Sequence, residues 1–223
     1  MTTIGFIGSG NIGGTVARLA VAAGYDVVIS NSRGPETLKE FADELGPQAR
    51  AATAAEAAAA GDVVVVSVPF KAFAQLPAAE LAGKVVLDTN NYYPQRDGHV
   101  EAIDRGELTS AQVEQQALGS ARIVKVFNNV WSGHLGALGR PSGAADRSAL
   151  PIAGDDAEAK RTATEFLDAI GWDAVDAGSL ADSWRQEPGT PVYGPPYGPY
   201  GELPGTTASA ETIRAALAAA TRG

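Results

Sequence analysis

Gly5-Phe6-Ile7-Gly8-Ser9-Gly10-Asn11-Ile12-Gly13-Gly14-Thr15 is the stretch that decides how the rest of this chain is read. Residues 3–7 are apolar enough for a buried strand, and residues 12–23 place Ile12, Val16, Leu19, Ala20 and Ala23 at helical spacing. The glycines therefore fall on a strand-to-helix turn, the setting in which Gly-x-Gly-x-x-Gly reads as a dinucleotide fingerprint. Gly8 is expected to make the tight turn and Gly10 to let backbone approach a pyrophosphate. Gly13 is expected to let the helix lie close on the strand. Free N–H groups at the helix start, reinforced by the helix dipole, then face the phosphates.

A second strand, residues 26–30, runs into Ser30-Asn31-Ser32-Arg33-Gly34-Pro35. Chains that bind NAD place a carboxylate at the end of this strand for the ribose hydroxyls. Here Asn31, Ser32 and Arg33 offer hydrogen-bond donors instead, and a guanidinium fork matches phosphate oxygens. A carboxylate would repel a 2′-phosphate, so the expected cofactor is NADP(H).

The alternation of strand and helix continues. Residues 49–52 read as strand and 53–60 as a helix opened by a Thr53/Glu56 capping box. Residues 62–68 form a β-branched run suited to a strand buried on both faces, and 71–81 read as helix. Further strands are expected at 84–87 and 123–127, then at 150–153 and 172–176 on either side of an amphipathic helix at 155–170. The fold class is α/β, a Rossmann-type doubly wound, mostly parallel sheet with a small C-terminal extension. Ligands bind outside the carboxyl ends of such strands. Val68, Pro69 and Phe70, then Asn90, then Asn128, Asn129 and Val130 are thus expected to line one crevice with the glycine turn.

Residues 188–205 hold eleven Pro or Gly in eighteen positions, punctuated by Tyr193, Tyr197 and Tyr200, and a last helix spans 209–220. The expected organisation is an NADP-binding domain over residues 1–187 that includes the substrate groove. Residues 188–223 follow as a lid or dimer contact, and a homodimer is the default assembly.

Composition narrows the chemistry. At 223 residues with 45% hydrophobic and 19% charged residues, the chain has the balance of a globular domain. A net charge of −9 argues against nucleic acid as the main partner, and no apolar run approaches the ~20 residues of a membrane span. The absence of cysteine removes disulfides, thiolate metal sites and thiol nucleophiles, and with no signal peptide the expected location is cytoplasmic. Two scattered histidines, His99 and His134, do not suggest a catalytic metal site.

The glycine turn, Asn31-Ser32-Arg33, Val68-Pro69-Phe70, Pro151-Ile152-Ala153-Gly154-Asp155-Asp156 and Val175-Asp176-Ala177-Gly178-Ser179-Leu180 together resemble the F420-dependent NADP oxidoreductases, over roughly residues 2–187. The resemblance implies that Ser9, Gly10, Asn11 and Ile12 hold the pyrophosphate and that Ser32 and Arg33 hold the 2′-phosphate. It also implies that Val68, Pro69 and Phe70 border the nicotinamide, while residues 127–131 border the facing ring of coenzyme F420. The chain departs from that family's pattern in Asn128-Asn129-Val130-Trp131, in Asp88-Thr89-Asn90-Asn91-Tyr92-Tyr93 and in the tyrosine-rich segment, all of them pocket positions.

Hydride transfer between two stacked rings needs positioning more than a strong acid or base. No tyrosine here has a lysine four residues later, so no side chain is assigned as catalytic. Trp131 and Tyr92, with Phe70 and Tyr93, can wall a flat substrate, Phe73 reads better as core packing, and Asn129 and Val130 are expected beside the substrate. Three other readings stay open: reduction of a small C=N or C=O substrate, a flavin or ferric-chelate acceptor, and an NADPH-binding sensor. Tyr92, Tyr93, Lys71 and His134 are the candidate proton donors that the first of these would require.

Overall fold

A computed structural model describes residues 2–222. Its eight strands are β1 (Thr3–Ile7), β2 (Asp26–Ser30), β3 (Ala49–Ala51), β4 (Val63–Val66), β5 (Val85–Asp88), β6 (Arg122–Lys125), β7 (Ala149–Gly154) and β8 (Asp173–Gly178). They form one sheet in the order β3-β2-β1-β4-β5-β6-β7-β8. The first six strands pair in parallel, as the doubly wound reading requires. β7 runs antiparallel to β6, and β8 is parallel to β7. The helices are α1 (Asn11–Ala22), α2 (Lys39–Leu45), α3 (Ala54–Ala60), α4 (Ala78–Leu81), α5 (Pro94–Asp97), α6 (Glu101–Asp104), α7 (Ser110–Leu118), α8 (Ser132–Ala137), α9 (Ala157–Ala169) and α10 (Ala210–Ala218). A parallel return after β6 would need a crossover running the length of the sheet. The helix that follows β6, α8, has only six residues and packs on α1.

The valines of β4 are all buried, with Val65 facing one core cluster and Val64 and Val66 the other. Helices therefore cover both faces of the sheet, and each such valine contributes roughly 1.5–3 kcal/mol relative to exposure. The Thr53/Glu56 capping box opens α3 as its sequence indicates. The single helix expected over 71–81 is broken: a 3₁₀ segment, Phe70–Gln75, gives way to an extended Leu76 before α4. Pro77 is the cause, because its ring bars the preceding residue from helical geometry.

The C-terminal segment belongs to the main core. Val192, Tyr197, Ala208 and Ile213 are fully buried there with β7 and Trp172. Tyr197 Oη donates to the Ala149 carbonyl at 2.9 Å, and its ring meets Trp172 edge-on at 5.9 Å. No helix among the described residues is long and apolar enough to cross a membrane.

Candidate functional site

The β1–α1 turn has the geometry its glycines allow. Gly8 has φ +99°, and a Cβ on it would stand 2.1 Å from the Ser67 carbonyl oxygen. A Cβ on Gly13 would stand 2.1 Å from the Gly8 carbonyl oxygen, so helix and turn are in contact through bare backbone. Gly10, the N-cap residue of α1, has nothing within 4 Å of its Cβ position. No side chain caps α1 and no acidic residue stands in its first turn, which leaves the helix N-terminus open to an anion.

Beside this turn lies a groove of about 530 Å³ lined by Ser9, Gly10, Asn11, Thr15, Arg33 and Thr37, among others. Ser9 Oγ donates to the Ser30 carbonyl at 2.8 Å, so its side chain ties β1 to β2 and its backbone is what faces the groove's phosphate end. Asn31 also works within the loop: its Nδ2 donates to Thr37 Oγ1 at 2.9 Å, and its Oδ1 accepts from the Arg33 N–H at 2.9 Å. Ser32 and Arg33 are exposed. Arg18, also in the groove, is matched by Glu44 at 2.7 Å, whereas Arg33 takes part in no ion pair among the described residues. Arg33 is thus the cation available to a phosphate at the end of β2.

The ends of the central strands are held from beneath. Asn90 is buried, its Oδ1 accepting from the Val68 N–H at 3.1 Å and its Nδ2 donating to Glu114 Oε1 at 3.1 Å. It fixes the Val68-Pro69-Phe70 corner from behind. Glu114 belongs to a fully buried cluster in which Lys125 Nζ lies 2.8 Å from Asp88 Oδ2 and 3.8 Å from Glu114 Oε2. Burial first, then the neighbouring Asp88 charge, pushes the Glu114 carboxyl well above the usual carboxylate range, with Lys125 opposing. Asp88 and Asp88's counter-ion Lys125 then balance around a protonated Glu114.

Phe127, just past β6, adopts φ +65° and is fully buried, its ring edge-on to Phe166 at 6.5 Å. A left-handed aromatic residue is uncommon away from functional turns, and nothing in the strand pattern announced it. Asn128 follows, donating through Nδ2 to Asn91 Oδ1 and the Gln186 carbonyl while its Oδ1 accepts from Gln186 Nε2. Like Asn90, it is a strut behind the crevice.

Asn129, Val130 and Trp131 do come together. With Ile12, Tyr193 and Tyr200 they line a cavity of about 660 Å³ that shares Ser132 with the dinucleotide groove. Asn129 Nδ2 donates to the Val192 carbonyl at 3.0 Å and to Tyr197 Oη at 3.2 Å, which has already spent its own proton on Ala149. The amide orientation is thereby set, and its Oδ1 is left buried without a partner. Such an orphan acceptor costs about 1–3 kcal/mol until a donor reaches it. Trp131 packs against Tyr200 at 5.2 Å and meets the His134 ring edge-on at 5.0 Å. His134 is buried, and its Nε2–H donates to the Glu202 carbonyl at 2.8 Å.

Three expected wall residues, Phe70, Tyr92 and Tyr93, do not line this cavity, and Phe73 takes the core position favoured for it. Tyr92 packs edge-on to Phe70 at 5.2 Å, and its hydroxyl donates to Asp104 and accepts from the Val100 N–H. It braces the loop over residues 92–104 and does not line the cavity. Phe73 is buried in the core with Leu81 and Val86. Sequence reasoning missed Tyr193 as a site residue, although its place in a Pro/Gly-rich run studded with tyrosines was a usable signal.

Comparison with known proteins agrees with this geometry. Residues 3–92 match the family described as NADP oxidoreductase, coenzyme F420-dependent. A hypothetical protein from Sinorhizobium meliloti, SMa0349, is 30% identical, with a TM-score of 0.74 over 86% of this chain and 93% of that one. A candidate F420-dependent NADP reductase from Arthrobacter sp. FB24 has the same fold, with a TM-score of 0.66 over 83% and 87% of the two chains at 23% identity. The metalloreductase STEAP3 of Rattus norvegicus is 30% identical over 190 residues, which is 82% of this chain but 35% of that protein. The chain thus spans little more than a third of the length of this curated relative. The family match covers the glycine turn, the Ser32-Arg33 loop and the β4 corner, and over residues 3–92 the chain is similar to the F420-dependent NADP oxidoreductases.

Proposed function

We propose that this protein passes a hydride between NADP(H) and a flat-ring acceptor of the deazaflavin type, coenzyme F420 being the first to test. The observation that carries this reading is the apolar, aromatic-walled cavity beside the dinucleotide groove, the two sharing Ser132 in their linings, with the unpartnered Asn129 Oδ1 inside the cavity's wall. A deazaflavin ring presents an imide N–H between two carbonyls, which is the kind of donor that oxygen lacks.

Each part of the site has a task under this reading. The open first turn of α1 receives the pyrophosphate, and Ser32 and Arg33 receive the 2′-phosphate. Val68, Pro69 and Phe70, braced by Asn90, form the wall that positions the nicotinamide. Bound there, NADPH supplies a hydride from its nicotinamide ring. Trp131, Val130 and Tyr200 hold the acceptor face-on and keep water from between the rings, where near-attack geometry of about 3–3.5 Å matters most.

The test is to mix the protein with NADPH and oxidised F420 and follow loss of the deazaflavin absorbance, with NADH in parallel. Bleaching with NADPH and little with NADH is expected. No bleaching by a protein that binds NADPH would contradict the acceptor assignment.

A further inference from the structure

Adding a hydride to a ring acceptor delivers two electrons and one hydrogen, so a proton must still reach a ring nitrogen. Among the cavity's side chains, His134 has its Nε2–H committed to Glu202, and Tyr200 is 81% exposed at the rim. Tyr193 is different. Its hydroxyl is held at the carboxyl ends of β5 and β6 by Asn91, whose Nδ2 lies 3.3 Å from Tyr193 Oη and also donates to the Asn128 carbonyl. Tyr93 Oη lies 2.6 Å away, and either hydroxyl can be the donor. With Tyr93 and Asn91 both donating, the lone pairs of Tyr193 Oη are occupied and its own O–H is free to leave.

We propose that Tyr193 is the proton donor of the reaction and that Tyr93 returns the proton to it. This rests on the ring-acceptor reading above. As the hydride reaches the acceptor carbon, the electron pair moves to a ring nitrogen, which takes the proton from Tyr193 Oη. The Tyr193 O–H bond breaks and the new N–H bond forms. The phenolate then takes the Tyr93 proton, and Tyr93 recovers one from water, so each turnover consumes one NADPH and one solvent proton.

The surroundings suit a phenol that holds its proton and then passes it on. Burial pushes the Tyr193 phenol up, which keeps it protonated until the step, and the Arg96 guanidinium opposes that shift. Arg96 stands over the Tyr93 ring at 4.9 Å and donates to the Asn91 carbonyl at 2.7 Å, where it favours a transient phenolate. Asp97 binds Arg96 at 2.8 Å and limits that field.

The experiment compares Tyr193→Phe and Tyr93→Phe with the wild type, using NADPH with oxidised F420 and, separately, with FMN, whose ring reduction needs the same proton. Tyr193→Phe is expected to lower kcat by about 100-fold or more, the scale of general-acid catalysis. Its NADPH Kd should stay within twofold. Binding of oxidised F420 without NADPH, read by fluorescence quenching, should weaken by about fivefold for one lost hydrogen bond. Tyr93→Phe, which keeps the donor and breaks only the return path, should lower kcat by less and change the solvent isotope effect. A Tyr193→Phe protein with wild-type kcat, or one that loses NADPH affinity together with kcat, overturns the assignment. If the wild type reduces FMN and not F420, the deazaflavin reading falls and Tyr193 is judged on FMN. Wild-type inactivity with both overturns the two together.

Discussion

The hydroxyls of Tyr93 and Tyr193 lie 2.6 Å apart across a sequence separation of 100 residues. This contact, with the bonds from Asn129 to Val192 and Tyr197, fastens the Pro/Gly-rich segment onto the carboxyl ends of β5 and β6. Its three tyrosines have three fates: Tyr197 is buried in the core, Tyr193 lines the cavity, and Tyr200 stays 81% exposed beside Trp131. The segment is therefore the outer wall of the site, and its rigidity comes from backbone hydrogen bonds and buried rings.

The glycine turn separates folding from binding. Gly13→Ala forces a Cβ to within 2.1 Å of the Gly8 carbonyl and is expected to cost about 1–3 kcal/mol of stability through overpacking. Gly10→Ala meets nothing within 4 Å, so it should melt like the wild type while losing NADPH affinity. Thermal melts with and without NADPH check both.

Arg33→Ala should weaken NADPH binding by about 10- to 100-fold, the scale of one charge-assisted hydrogen bond, and leave NADH binding nearly unchanged. Arg18→Ala should do less, because Glu44 already neutralises that guanidinium in the folded protein. Equal losses for both cofactors in the Arg33 variant, measured by titration, would contradict the 2′-phosphate assignment.

Trp131→Ala removes the ring that packs on Tyr200 and borders the cavity. An acceptor KM raised by about 10-fold, in keeping with 1–3 kcal/mol for one stacked aromatic, is expected with an unchanged NADPH Kd. A variant whose NADPH affinity falls instead places Trp131 against the nicotinamide.

Glu114 gives a pH signature. Its carboxyl titrates above the ordinary 4.5 in the folded chain, so the folded protein holds a proton that the unfolded chain releases. Its contribution to stability is full below about pH 4.5 and is lost as pH rises from there through the raised folded value. Glu114→Gln keeps a neutral side chain that can accept from Asn90 and donate to Asp88. The variant should match the wild type near pH 4 and exceed it at pH 8 in denaturant titrations. Lys125→Met, in contrast, leaves Asp88 buried without its cation and should cost about 3–5 kcal/mol at neutral pH.

How much of this was legible depended on whether the cause was local. The β1–α1 turn, the β-branched β4 and the Thr53 cap are set by neighbouring residues, and each stands where its sequence places it. The reversal of β7 and β8 depends on how the chain leaves β6, and no periodic pattern records that. Asn90 and Asn128, expected to line the crevice, are tied in behind it, because Glu114 and Gln186 arrive from remote parts of the chain to use their amides. Tyr92 was misplaced for the same reason, its hydroxyl being drawn to Asp104. Tyr193 became a site residue only once the last third of the chain folded back over the crevice.

The most direct measurement is the fate of the transferred atom. NADPH carrying deuterium at both C4 positions would be mixed with the protein and oxidised F420, and the reduced deazaflavin analysed by mass spectrometry. One deuterium on the acceptor ring is the predicted result, since groove and cavity adjoin at Ser132, as direct transfer requires. A reduced ring carrying only solvent hydrogen, or no reduction while NADPH is bound, would contradict the account.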